Sequence, residues 1–117
     1  MNHSFFIAGV QFRPTGVKEE IKKLLKHQNL ILEPEPENEF DPNAIKIISI
    51  NEEGKAFLGY VPKKFSAEIL AALEVGIDLE CIVEEINPSA KPWEICKVVV
   101  KDVISETEND TYKGDSL

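Results

Sequence analysis

Two cysteines, two histidines and no Cys-x-x-Cys pair leave little from which to build a structural zinc site, which needs four well-spaced ligands. Cys81 and Cys96 instead read as buried thiols of a cytoplasmic protein. Long hydrophobic runs are missing too. The longest, Phe5 to Val10, is far shorter than the roughly 20 residues a membrane helix needs, so no span is expected. No basic segment precedes that run and no cleavage site follows it, so no signal peptide is expected. There is no Gly-rich phosphate loop, no Walker lysine, no His-Glu-x-x-His helix and no nucleophile set beside a histidine. These absences exclude a P-loop ATPase or helicase and lead us to expect a non-catalytic chain without metal or cofactor.

Basic residues are also in short supply: 13 Lys and Arg face 21 Asp and Glu across 117 residues, a net charge of −8. Domains that coat nucleic acid through bulk charge are usually basic, so binding of that kind is disfavoured. The acid is concentrated, however. Glu33 to Asp41 holds five acids and no base, and Asp102 onward holds five acids and only Lys113 as a base. The remaining body is close to neutral, which leaves room for a local basic face. The acidic run lacks the spacing and the glycine of an EF-hand, so a solvated loop is expected there rather than a Ca²⁺ site.

The hydrophobic pattern predicts eight elements in the order β-α-β-β-β-α-β-β. Ser4–Phe12 is rich in β-branched and aromatic residues and reads as a strand, with Gly9 suggesting a bulge. Val17, Ile21, Leu24 and Leu25 fall on one helical face, and Asn29 is the expected stop. Short strands follow at Leu30–Glu33, Ala44–Ile50 and Lys55–Val61, the last two joined by a hairpin turn over Asn51–Gly54. Phe65, Ile69, Ala72 and Leu73 form the face of a second helix that Gly76 caps. Ile77–Ile86 and Trp93–Val103 read as the final strands, and Val98-Val99-Val100 suggests burial on both faces. The fold class is mainly β with two helices (α+β), a small OB-like or SH3-like curled β-barrel over residues 1–103. Residues 104–117 lack periodicity and read as an acidic flexible tail.

The most specific stretch is Glu33-Pro34-Glu35-Pro36-Glu37-Asn38-Glu39-Phe40-Asp41-Pro42-Asn43-Ala44-Ile45-Lys46-Ile47. Asn and Asp side chains bond their own backbone and fix turns, and an aromatic between them either stands out for stacking or tucks into the core. On the residues alone both outcomes are open, as is a plain turn-capping role for Asp41.

Within it, Glu37-Asn38-Glu39-Phe40-Asp41-Pro42-Asn43-Ala44-Ile45-Lys46-Ile47 resembles the signature of the HIRAN domain family, an Asn-Pro-(Tyr/His)-Asp-x-Asn-Ala-(Ile/Val) run. Phe6-Ile7-Ala8-Gly9 is similar to that family's opening strand. Gly59-Tyr60-Val61-Pro62-Lys63 is similar to its turn into a helix. The resemblance covers residues 4–103 and implies an OB-like or SH3-like barrel that binds the free 3′-hydroxyl end of single-stranded DNA. It implies that Asp41 accepts a hydrogen bond from the terminal hydroxyl and Asn38 helps to hold the last nucleotide. Phe40 takes the stacking place, Lys63 meets phosphate, Tyr60 flanks them and Trp93 supplies a further aromatic. Phe6, in the opening aromatic strand, and Arg13, just after it, complete the candidate set. Where end-binding relatives carry two adjacent tyrosines, this chain has Phe5-Phe6-Ile7, and Glu37 and Glu39 replace uncharged residues. Strand-like spacing would put those two carboxylates on one side of the chain. The expected function is a DNA-repair-type module for single-stranded DNA ends. The alternative is a regulatory module that binds a protein partner and has given up DNA; any hydrolase activity would belong to a helicase-type partner.

Overall fold

The computed structural model describes residues 1–103; the expected acidic tail over residues 104–117 lies outside the described residues. Six strands form one antiparallel sheet. In chain order they are β1 (Asn2–Phe6), β2 (Asn29–Pro34), β3 (Ile45–Asn51), β4 (Gly54–Tyr60), β5 (Leu79–Ile86) and β6 (Cys96–Asp102). Two helices, α1 (Thr15–Lys22) and α2 (Lys63–Glu74), separate β1 from β2 and β4 from β5. The sheet order is β1-β6-β5-β2-β3-β4, so the expected element sequence and mainly β class are what form. Among the described residues no helix is long and apolar enough to cross a membrane.

The core follows from period-two alternation on the strands and one face of each helix. Phe5 points inward from β1 and Ile7 from just past its end, Ile45 and Ile47 from β3, Leu58 from β4, Val83 from β5, and Val98 and Val100 from β6. Ile21 of α1 and Ile69 of α2 join the same core, both fully buried. Val99 is only half-buried, so β6 alternates instead of burying both faces. Cys81 and Cys96 are reduced and buried, and loss of hydration pushes both thiols up to about 12.

Several expected boundaries shift for local reasons. The opening strand stops at Phe6, because Gly9 adopts φ 77° and Val10–Phe12 winds into a single 3-10 turn. The first helix ends at Lys22, before Asn29. The next amides bond three residues back, Lys23 N–H to Glu20 O at 3.1 Å and Leu24 N–H to Ile21 O at 3.0 Å. Gln28 Oε1 then takes the Leu25 N–H at 3.0 Å and leaves Leu25 71% exposed, off the core it was expected to join. Pro92–Glu94 is also a 3-10 turn, so Trp93 precedes β6 instead of opening it. Gly76 does cap α2: it sits at φ 84°, with its N–H on Leu73 O and the Ile77 N–H on Ala72 O.

The curl stops short of a closed barrel. The edge strands β1 and β4 meet through one bridge, Ala8 to Tyr60, made of two backbone hydrogen bonds of 2.8 Å. Gly59 permits this approach. A β-carbon there would overlap the Ala8 carbonyl oxygen and lie 2.7 Å from Ile7 Cγ2. Gly59→Ala is therefore expected to push the edges apart and destabilise the domain by about 1–3 kcal/mol, read as a lower urea midpoint. An unchanged midpoint would show that the bridge bears no strain.

Candidate functional site

The bridge brings the Ala8-Gly9 turn, the end of β4 and the start of α2 to one side of the molecule. The loop from Glu35 to Ala44 lies across them. Two Asx turns give that loop its shape. Asn38 Oδ1 accepts the backbone N–H of Phe40 at 2.8 Å and of Asp41 at 2.9 Å. Asp41 Oδ1 accepts the N–H of Asn43 at 2.9 Å. Glu35 N–H on Ala44 O at 2.8 Å closes the neck of the loop. Residues 36–43 are consequently folded into turns and not extended. The expectation that Glu37 and Glu39 share one side through strand spacing fails for that reason, although both are exposed.

Between the loop and the seam lies an open hollow of about 230 Å³. Asn38, Phe40, Asp41, Tyr60 and Lys63 line it, with the Ala8-Gly9 backbone opposite. Five of the eight sequence-predicted residues thus converge. Phe40 is 86% exposed, which decides between its two readings: it stands out of the loop and does not enter the core.

The remaining three lie elsewhere. Phe6 faces the outer side of the sheet, because Phe5 and Ile7 on either side of it face the core. Its neighbour there is Lys97, whose Nζ is 6.0 Å from its ring. Arg13 folds back on β4, with its guanidinium 3.8 Å from the Phe57 ring centre and Nε donating to Phe57 O at 3.2 Å. Phe57 in turn meets Tyr60 edge-on at 5.1 Å, so Arg13 stands behind the Tyr60 wall. Trp93 is 46% exposed on its 3-10 turn and does not line the hollow.

A polar network behind the hollow holds its floor. Tyr60 Oη donates to Glu35 Oε1 at 2.7 Å, and Asn38 Nδ2 donates to the same oxygen at 2.8 Å. Lys46 Nζ lies 3.6 Å from the other Glu35 oxygen and 3.2 Å from Glu33. Hydrogen bonds from Asn38 and Tyr60, helped by the Lys46 charge, hold the Glu35 carboxyl below its ordinary range against the opposing effect of burial. Burial, then the bond to Glu35, pushes the Tyr60 phenol up, so it stays a donor. Asp41 Oδ2 accepts from Ser66 Oγ at 2.9 Å. Each Asp41 oxygen thus has one protein donor and a lone pair to spare.

Sequence reasoning missed Glu35 and Ser66. Glu35 sits in an acidic run that reads as a solvated loop. Ser66 is 1% exposed, and its signal was positional: it lies three residues before Ile69, on the apolar face of α2. Among the described residues no group of His, Cys, Asp and Glu is arranged to hold a metal ion.

The Glu35 bonds carry a pH signature. A carboxylate whose pKa is lowered on folding stabilises the protein above its unfolded pKa, and the benefit is lost as pH falls through the folded value. Glu35→Gln keeps the acceptor but removes the charge. At neutral pH it is expected to lower stability by about 1 kcal/mol or less, given its partial exposure to solvent. The difference in melting temperature from wild type should then close below the ordinary carboxylate range. A difference independent of pH would refute the assignment.

A family model described as the HIRAN domain matches residues 1–101. The fold is similar to the crystal structure of the HIRAN domain of human HLTF, with TM-score 0.63 and 15% identity, covering 86% of this chain and 74% of that one. It is also similar to the crystal structure of a protein from Lactobacillus plantarum, with TM-score 0.65 and 17% identity, covering 86% and 99%. No curated protein matches the sequence.

Proposed function

The chain belongs to the HIRAN domain family, whose members are nucleic-acid-binding modules and not a catalytic fold, and we propose that this member binds single-stranded DNA at a free 3′-hydroxyl end. The observation that carries the reading is Phe40, an exposed ring held by Asn38 beside the carboxylate of Asp41. A terminal base stacks on Phe40, its 3′-hydroxyl donates to a spare lone pair of Asp41, and Lys63 meets the phosphate behind it. An anionic acceptor suits a hydroxyl and repels a terminal phosphate, so the charge of Asp41 becomes the end-reading device. Trp93 lies outside the hollow and acts on nucleotides beyond the last, while Arg13, seated on Phe57 behind Tyr60, adds positive charge for a phosphate. The functional unit is residues 1–103, followed by an acidic tail, in a cytoplasmic DNA-repair setting where any hydrolase activity belongs to a partner.

Exposed Glu37 and Glu39 oppose this reading, because carboxylates beside the phosphate path repel it over a Debye length of about 8–10 Å. They favour a second reading, in which the same face serves a protein partner.

Binding of a short oligonucleotide, bearing a 3′-hydroxyl or a 3′-phosphate, tests both. The hydroxyl form is expected to bind more tightly, and Asp41→Asn to reduce that preference. Phe40→Ala should weaken binding roughly five-fold or more without changing the salt slope, since stacking releases no counterions. Lys63→Ala should weaken binding and lower the slope by about 0.7, the share of one phosphate on a single strand. Glu37→Gln with Glu39→Gln should strengthen it. Equal binding of the two ends removes the end-reading role, and no binding at all hands the face to the second reading.

A further inference from the structure

Leu24 and Leu25 are consecutive apolar residues, yet only Leu24 is buried. The turn after α1 fixes the difference. Gln28 Oε1 accepts the Leu25 N–H, and the Gln28 N–H donates to Leu25 O, each at 3.0 Å. His27 takes a left-handed φ of 76°, uncommon for a residue with a side chain. Its N–H donates to Val83 O at 2.8 Å, and the Val83 N–H donates to Gln28 O at 2.9 Å, so the turn is tied to β5. Backbone geometry therefore holds Leu25 outside. Ile50, near the end of β3, is 54% exposed. Asn51 staples the two segments together: its Nδ2 donates to Glu20 Oε2 of α1 at 3.0 Å, and its Oδ1 accepts the Glu53 N–H at 2.8 Å. Leu25 and Ile50 line a hollow of about 310 Å³. Of its four charged lining residues, Glu20, Glu52 and Glu53 are acidic and Lys23 alone is basic. Lys23 is engaged by Glu20 at 3.7 Å, whereas Glu52 and Glu53 have no cation within salt-bridge distance among the described residues. Lys55, opposite Ile50 in the hairpin, is engaged by Glu33 at 4.0 Å. The hollow sits at the turn end of the β3–β4 hairpin, and Tyr60 of the groove lies at the other end of β4, about 20 Å along the strand.

We propose that this hollow docks a partner protein through a short cationic segment. One large aliphatic side chain of that segment seats between Leu25 and Ile50, and its Lys or Arg neighbours meet Glu52 and Glu53. Exposed apolar side chains rimmed by polar groups mark a contact surface, because covering them removes apolar area from water. The frame is already set by the Gln28, Val83 and Asn51 bonds, so little freedom is lost on docking. Charge selects the occupant. Three carboxylates against one engaged ammonium repel a phosphate backbone and disfavour a second copy of this chain, whose net charge is −8, and they attract Lys and Arg. The inference is independent of the nucleic-acid reading of the groove. A partner docked at this end of the hairpin leaves the groove open, so both sites can be filled together.

Three end-blocked peptides, titrated into the isotope-labelled full chain and followed by NMR shifts, test the proposal. The first has a leucine between two pairs of lysines, the second has glutamates in place of the lysines, and the third has glycine in place of the leucine. The first is expected to give saturable shifts at the Leu25, Gln28, Ile50 and Glu52 amides. It should bind at least about five-fold more tightly than either of the others, as burial of one aliphatic side chain predicts. Leu25→Ala and Ile50→Ala should each weaken it about five-fold, and the exposed position of Leu25 keeps the fold intact in the first of these. Glu52→Gln with Glu53→Gln should weaken it and flatten its salt dependence. Val75→Ala, an exposed apolar position at the end of α2, should change nothing. Equal binding of the leucine and glycine peptides reduces the contact to bulk charge and overturns the docking site. Absence of saturable shifts, or shifts centred on Lys63, overturns it as well. A thymidine oligonucleotide that shifts the Ile50 and Glu52 amides hands the hollow to nucleic acid instead. None of these outcomes bears on the groove, whose own test uses the two 3′ ends.

Discussion

Two hydrogen bonds between the backbones of Ala8 and Tyr60 are the constraint on which the rest of the site depends. They are the point where the edges of a six-stranded sheet touch, and Gly59 leaves the space for it. From Tyr60 the order passes outward. Its hydroxyl fixes Glu35, Glu35 fixes the Asn38 amide, and Asn38 turns its carbonyl oxygen to the amides that orient Phe40 and Asp41. Ser66 ties Asp41 to the first turn of α2. The hollow is therefore assembled from four separate segments without any one of them being long. A fully satisfied polar network of this kind specifies a single arrangement, because each unpaired member would be costly.

The electrostatics are mixed by construction. Glu35 is neutralised locally by Lys46, whereas Glu37 and Glu39 are not paired with any cation within salt-bridge distance among the described residues. The groove combines one carboxylate acceptor, one exposed cation and two rings with an acidic rim. On the proposed reading, such a site discriminates among ligands by the group presented at its floor and does not recruit them by long-range attraction. The low identity to structures of the same fold, 15% and 17%, is consistent with a core pattern that tolerates change in surface charge.

Much of this was legible in the chain. The order of elements follows from alternation in Ile45–Asn51 and Cys96–Asp102 and from helical spacing in Lys63–Glu74, because local period reports which face is buried. Asn38 and Asp41 announced their turns through residue chemistry alone. Phe6 was misplaced although the same alternation, applied to Phe5 and Ile7, sends it outward. Arg13 was legible as a cation but not as one already seated on Phe57, since that contact joins residues 44 positions apart. The Tyr60–Glu35–Asn38 network was hidden for the same reason: its members look like unrelated polar residues until the seam closes.

The strand order has a kinetic consequence. Among the described residues β1 is the first strand and its only sheet partner along its length is β6, the last, with Asn2 opposite Lys101. The meander from β2 to β4 pairs locally, but β1 waits for nearly the whole domain to be synthesised. At about 5–20 residues per second, that interval is several seconds during ribosomal synthesis. Throughout it the apolar inner face of β1 has no strand beside it, although Tyr60, the partner of Ala8, is already made. The domain thus has a high share of distant contacts, the topology that slows folding most. The groove adjoins this late seam, because the Ala8–Tyr60 bridge follows directly on β1. A nascent chain stalled before Cys96 would carry the complete signature loop and both ends of the bridge, yet lack the strand that seats β1 in the sheet.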